Sequence, residues 1–263
     1  MHAELHIIDA FTRTPFCGNP AAVCITEEER ESPWMQKVAA EMKHSETAFL
    51  HRTDEAWDLR WFTPEAEVDL CGHATLAAAF VIWATGREAG ESQIRFRTRS
   101  GILTADRDAT GIALDFPVVP VVACDPPEGI ETAFRCPVVF SGKTQFDLFF
   151  ELPSATDVCT LDPDMSALAA LPARGIVVTA PSDMPAYDFV SRFFAPSVGI
   201  PEDPVTGSAH CSLGPFWAER LSKTSLAGFQ CSERGGSVRV LVKGDRVILA
   251  GNAVQVVSGR LMA

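Results

Sequence analysis

Cys71-Gly72-His73 heads the run DLCGHATLAAAFVIW, residues 69–83, in which nearly everything after the histidine is small or apolar. A helix apolar almost all round is one enclosed by its own lobe, with only its polar start left outside the core. A helix start presents unpaired N–H groups and partial positive charge, so it attracts an anion. Thr206-Gly207-Ser208 heads a second such segment, SVGIPEDPVTGSAHCSLGPFWAERL. Two helix starts of this kind, facing each other across a cleft, would hold a carboxylate. Glu46, in SETAFL at the start of a β-type run, reads on its own as an exposed strand-start glutamate; only a partly desolvated carboxylate could move a proton between carbons. His73 reads either as a hydrogen-bonded core histidine or as a group that holds substrate and relays a proton. Asp203, before Pro204, either caps a turn or acts on substrate, and Ser208 is an N-cap, an anion contact or both. Cys71 is a packing residue or a cleft thiol, and Asn19 in CGNP is a turn residue or a polar contact to substrate.

Other candidate signals lack the context their chemistry needs. Ser141-Gly142-Lys143-Thr144 ends like a phosphate loop, but Pro137 stands where its first glycine belongs. There is no G-x-G-x-x-G, and Ser208 lies in V-T-G-S-A rather than in a G-x-S-x-G elbow. His2 and His6 have a helical metal spacing in a segment that reads as a strand, so no metal site is expected there. The eight cysteines form no C-x-x-C pair and several sit in apolar runs, the pattern of reduced, buried thiols in a cytoplasmic protein. The segment MHAELHIIDAFT carries Glu4 and no long apolar core, so no signal peptide is expected. A formal charge of -12 argues against nucleic acid or an anionic membrane as partner. Arg95, Arg97 and Arg99 alternate along a strand-like stretch as a solvated face does.

The elements that must carry these residues repeat. Arg60-Trp61-Phe62-Thr63-Pro64 returns as Arg192-Phe193-Phe194-Ala195-Pro196, shifted by 132 positions. Each copy leads through an acidic turn to a glycine and a long apolar segment, and the second turn is three residues longer. Upstream, Ser32-Pro33 reads as an N-cap with a first-turn proline, and Trp34, Val38 and Met42 share one helical face. ETAFLH and DLRWFTP read as strands of the first half. DPDMSALAAL reads as a helix of the second, with GIVVTAP and DFVSRFFAP as its hairpin. Pro215 should kink the second apolar helix. The expected fold is α+β, with two pseudo-symmetric lobes: residues 1–118 and 119–263, the last strand able to return to the first lobe. The boundary lies near the proline-rich DFPVVPVVACDPPEG.

DAFTRTPFCGNPAAVC, AAEMKHSETAFL, RWFTPEAEVDLCGHATLAAA and EDPVTGSAHC, in this order, resemble the PhzF-type phenazine-biosynthesis-like family, of the diaminopimelate epimerase fold. The resemblance implies two lobes, each a β-barrel-like sheet around a central helix, with the site between them. It implies a cofactor-independent isomerase or epimerase acting on a small carboxylate-bearing metabolite, without metal, in a homodimer. The family's catalytic residues fall on Glu46, His73, Asp203 and Ser208. Asn19, Cys71, Gly72, Thr206 and Gly207 are expected to bind substrate. Two-thiol epimerases of related fold have a cysteine before each loop glycine; here Cys71 fills the first position and Thr206 the second. A hydrolase with Cys71 or Ser208 as nucleophile, and a non-catalytic small-ligand-binding protein, are the rival readings.

Overall fold

A computed structural model describes residues 3–89, 93–108 and 110–262, so His2 lies outside the described residues. The chain divides into two compact units, Met1–Asp115 with Ala250–Ala263, and Phe116–Leu249. Both are α+β.

The first unit runs β1 (Ala3–Ala10), β2 (Asn19–Thr26), α1 (Ser32–Met42), β3 (Thr47–Arg52), β4 (Trp57–Phe62), β5 (Glu67–Val68), α2 (Gly72–Ala84), β6 (Ile94–Thr98), β7 (Gly101–Asp108) and β8 (Gly111–Pro117). The second begins with β9 (Val122–Ala123), α3 (Ile130–Phe134), β10 (Phe140–Lys143) and β11 (Asp147–Glu151). It continues with α4 (Ala155–Cys159), α5 (Met165–Ala169), β12 (Gly175–Pro181), β13 (Phe189–Phe194), α6 (Gly207–Leu221), β14 (Ser225–Gln230), β15 (Gly236–Lys243) and β16 (Arg246–Gly251). β17 (Ala253–Leu261) returns to the first unit, antiparallel to β1 from Ala3↔Leu261 to Ala10↔Ala253.

The two units repeat one motif. β2 crosses through α1 to a parallel β3, which turns into antiparallel β4; β11 crosses through α4 and α5 to parallel β12, which turns into β13. Thr47 faces Phe62 as Ile176 faces Phe194, so the register aligns the two copies residue by residue. Arg60 grips Glu67 through Nε and Nη2 at 2.7 and 2.6 Å and lies over Phe62. Arg192 grips Glu202 through the same atoms at 2.7 and 2.9 Å and lies over Phe194. The longer second turn is accounted for by a 3-10 turn, Pro196–Val198.

α2 is the central helix of its unit: His73–Ala79 are all buried, as are Val81, Ile82 and Trp83. With no polar face to offer water, it is stable only inside a sheet, here against β1, β2, β3 and β17. α6 keeps one helix through Pro215. The proline has no N–H for the carbonyl of Cys211, and Val119 N donates to that carbonyl instead at 3.1 Å. Ile176, Val178, Phe134, Phe150 and Phe194 anchor the second unit's core.

Three expectations need correction. Ser32 is the first helical residue and Glu31 the N-cap; the Ser32 hydroxyl is taken up by Arg60 Nη2 at 2.7 Å. DPDMSALAAL is helical only over Met165–Ala169, where Asp164 caps the amides of Ser166 and Ala167. The cysteines are not all reduced: Cys159 and Cys231 form a disulfide, Cα–Cα 5.4 Å, tying the end of α4 to the residue after β14. Cys24 and Cys211 are buried thiols pushed up to about 12, which keeps them inert.

Candidate active site

In the first unit four expected residues meet. Gly18, at φ +68°, makes the turn before β2, and a Cβ there would strike the Ala10 carbonyl. That turn delivers Asn19, fully buried, to the start of α2. Asn19 Nδ2 donates to His73 Nδ1 at 3.2 Å, so the neutral imidazole carries its proton on Nε2. Nε2 lies 3.3 Å from Glu46 Oε2. Ser45 Oγ donates to Asn19 Oδ1 and stands 3.5 Å from Nε2, and Cys71 Sγ is 3.5 Å from Nδ1.

Glu46 precedes the first residue of β3, so the sheet fixes its backbone while its side chain, 16% exposed, lies over the helix start. Burial pushes its carboxyl above the ordinary 4.5, and hydrogen bonds from Ser45 and Cys71 offset only part of that rise. Oε2 is sealed from solvent and makes no aligned hydrogen bond among the described residues. A desolvated oxygen with an unused lone pair is what a proton carrier needs. Glu46, Cys71 and His73 also offer one oxygen, one sulfur and one nitrogen within 4.8 Å of one another, donors that could hold a zinc-like ion.

In the second unit Thr206, not Ser208, is the N-cap of α6, as Cys71 is of α2. Neither cap uses its side chain on its own helix. Thr206 Oγ1 donates to Asp203 Oδ2 at 2.5 Å, and Thr206 N donates to Gln230 Oε1 at 2.8 Å. Gln230, fully buried, also donates through Nε2 to Asp203 O at 2.7 Å and Thr206 Oγ1 at 3.2 Å. His210 Nδ1 bonds back to Thr206 O as Thr75 Oγ1 bonds back to Cys71 O. Complete burial holds His210 down at about 4, so it stays neutral and supplies no charge. Ser208 Oγ accepts from Arg174 Nη2 at 3.3 Å, and Arg174 is forked onto Asp147 at 2.9 and 2.7 Å.

Asn19, Glu46, Cys71 and His73 thus form one cluster, and Asp203 and Thr206 a second with Ser208 two residues along; Gly72 and Gly207 are the first residues of the two helices. Ser45, Gln230, Arg174 and Asp147 were missed from sequence. No sequence signal marked Arg174; the aligned strand registers of the fold place it where the first copy has Ser45. A cavity of about 200 Å³ in the first unit, lined by His51, Asp58, Arg60, Arg97 and Arg99, includes none of the candidate residues, and its arginines are paired with Asp58 and Glu67. No helix among the described residues is long and apolar enough to cross a membrane.

Comparison with known proteins identifies the family and the fold. Residues 8–259 match the PhzC-PhzF family, described as phenazine biosynthesis-like protein. A Pseudomonas aeruginosa protein named an uncharacterized isomerase is 48% identical over 261 residues, covering 99% of each chain. The crystal structure of a PhzF-family protein from Enterococcus faecalis superposes with a TM-score of 0.96 at 40% identity, covering 100% of both chains. A hydroxyproline epimerase from Agrobacterium vitis, only 8% identical, shares the fold at a TM-score of 0.63 over 99% of this chain and 92% of that one. The chain belongs to the phenazine biosynthesis-like, PhzC-PhzF family.

Proposed function

We propose that this protein is an isomerase or epimerase that moves a proton on a small carboxylate-bearing substrate, with Glu46 as the proton carrier. One observation carries the reading: a buried carboxylate with a raised pKa, one oxygen unengaged, 3.3 Å from a histidine at a helix start. Ionised Glu46 takes a proton from a carbon, and the electron pair left behind is delocalised toward the substrate's unsaturation or carboxylate. Glu46, now neutral, returns the proton at a second carbon or on the re-formed centre, so atoms and charge balance. His73 Nε2, 3.3 Å from Glu46 Oε2, steadies the carboxylate while it is charged. Asp203, Thr206 and Ser208 bind and orient substrate from the second helix start. We take the substrate to lie between the two units, a reading supported by the duplicated helix starts and the family likeness. Independence of metal and organic cofactor, a cytoplasmic setting and a homodimer are parts of the same proposal; the disulfide removes reduced cysteines as support for the setting.

The test is a panel of chiral and unsaturated carboxylates in deuterated water, with carbon-bound protons and product followed by NMR. Wild type should convert at least one acid, and Glu46→Gln should lose about 10²–10⁴-fold in rate while still binding it. An active Glu46→Gln protein would leave the mechanism without its base. The Cys71–His73 contact favours a second reading, a thiol nucleophile. Asn19 already fills the acceptor position of Nδ1, which weakens that reading. Cys71→Ser should therefore keep most turnover; complete loss in a folded, ligand-binding variant would restore thiol chemistry.

A further inference from the structure

The aligned registers show that the two copies of the motif have diverged where chemistry would occur. Thr47 corresponds to Ile176, so Glu46 corresponds to Gly175 and Ser45 to Arg174. Gly72 corresponds to Gly207, so His73 corresponds to Ser208. The contact between these places is kept while the residue types change: Ser45 Oγ stands 3.5 Å from His73 Nε2, and Arg174 Nη2 donates to Ser208 Oγ at 3.3 Å. Where the first copy presents a carboxylate, the second has a glycine whose Cβ would collide with the Phe193 ring.

We propose that Arg174 is the carboxylate-binding residue of the second half-site, a deepening that rests on the isomerase reading. Asp147, 5% exposed, takes Nε and Nη2 of the guanidinium and fixes its plane. Phe146 and Phe193 lie 5.1 and 5.8 Å from the guanidinium carbon and confine it further. Nη1 has no partner among the described residues, and the side chain is 41% exposed, so two N–H donors remain reachable. Ser208 Oγ accepts from Nη2, which leaves its own hydroxyl proton to donate to the same ligand. Two N–H groups on Nη1, held in a fixed plane by a buried acid and flanked by a hydroxyl, suit a carboxylate oxygen better than a freely rotating ammonium would. Because Asp147 balances the charge, recognition depends on the geometry of the donors and not on net charge. The duplicated motif thereby gives proton transfer to one copy and anion recognition to the other.

Isothermal titration with benzoate and cyclohex-1-enecarboxylate, and with the matching amides, tests this in wild type, Arg174→Gln and Arg174→Lys. Wild type should bind the acids and not the amides. Arg174→Gln should weaken acid binding about 10- to 100-fold, and Arg174→Lys, which keeps charge but not the fixed plane of the Nη1 donors, should fall between. Arg174→Gln leaves Asp147 buried without its partner; if it fails to fold, the neutral pair Asp147→Asn/Arg174→Gln takes its place, with the same loss expected. Unchanged affinity in these variants, equal loss for acids and amides, or no acid binding by wild type would overturn the assignment. Proton exchange by wild type across the acid panel is read separately, with Glu46→Gln as the blank. Acid binding that needs Arg174 without any exchange removes the isomerase reading; exchange with Arg174-independent binding removes this one.

Discussion

Glu46 carries the proposed chemistry on a balance between desolvation and hydrogen bonding that can be measured without knowing the substrate. Its folded pKa is raised, so ionising it is harder in the folded protein than in the unfolded chain. The stability it contributes is therefore complete below the ordinary carboxylate value and is lost as pH climbs through the raised one. Glu46→Gln has no such charge to bury. Its melting temperature should gain on wild type as pH rises above the ordinary carboxylate value of 4.5, as compared by thermal unfolding. A flat difference, or one of opposite sign, would show that burial does not hold this carboxyl up. Glu46, His73, Cys71 and Asn19 were legible in the sequence through the family motifs in which they stand; Glu46 by itself reads as an exposed strand-start residue, and only the fold shows it buried beside His73. Ser45 was not, since its part comes from Asn19 and His73, 26 and 28 residues away.

At the scale of elements, the duplicated strand, loop and helix were readable because the Arg-aromatic-Phe pattern survives in both copies, and so does the Arg–Glu grip built on it. The details of the loops were not readable. Which residue caps a helix depends on backbone angles rather than on type: Ser32 and Ser208 are good caps by type, yet Glu31 and Thr206 hold those positions. Gln230 was invisible because an amide in a β-run has no local signature; its meaning comes from the turn 24 to 27 residues before it. That turn gives the next prediction. Gln230→Leu keeps the volume but leaves the buried Thr206 amide without its acceptor. Such an unmet group costs about 1–3 kcal/mol. The variant should melt lower, and hydrogen exchange should quicken at residues 203–208 while α2 stays protected. Equal protection of that turn in both proteins would mean that Gln230 does not hold it.

The sheet of the first unit is completed by β17. β17 supplies the outer partner of β1 from a position about 250 residues away in sequence, and Thr12 N and His6 Nδ1 reach Asn252 O and Gln255 Oε1 in the same seam. The first unit therefore cannot complete its sheet until the rest of the chain has been made, a non-local pairing that slows folding. Most side chains of β17 are exposed, so its contribution lies in ladder bonds and in covering an edge more than in apolar burial. Roughly eight such bonds at about 0.5–1.5 kcal/mol each come to about 4–12 kcal/mol, comparable to the whole stability of an ordinary domain. The fragment of residues 1–115 should consequently lack a cooperative thermal transition and should expose β1 to aggregation. A synthetic peptide of residues 250–262 should restore the transition by adding the missing strand in trans. Circular dichroism melts of the fragment with and without the peptide decide it. A sharp transition in the fragment alone, near that of the full chain, would show that β1 needs no partner on that side.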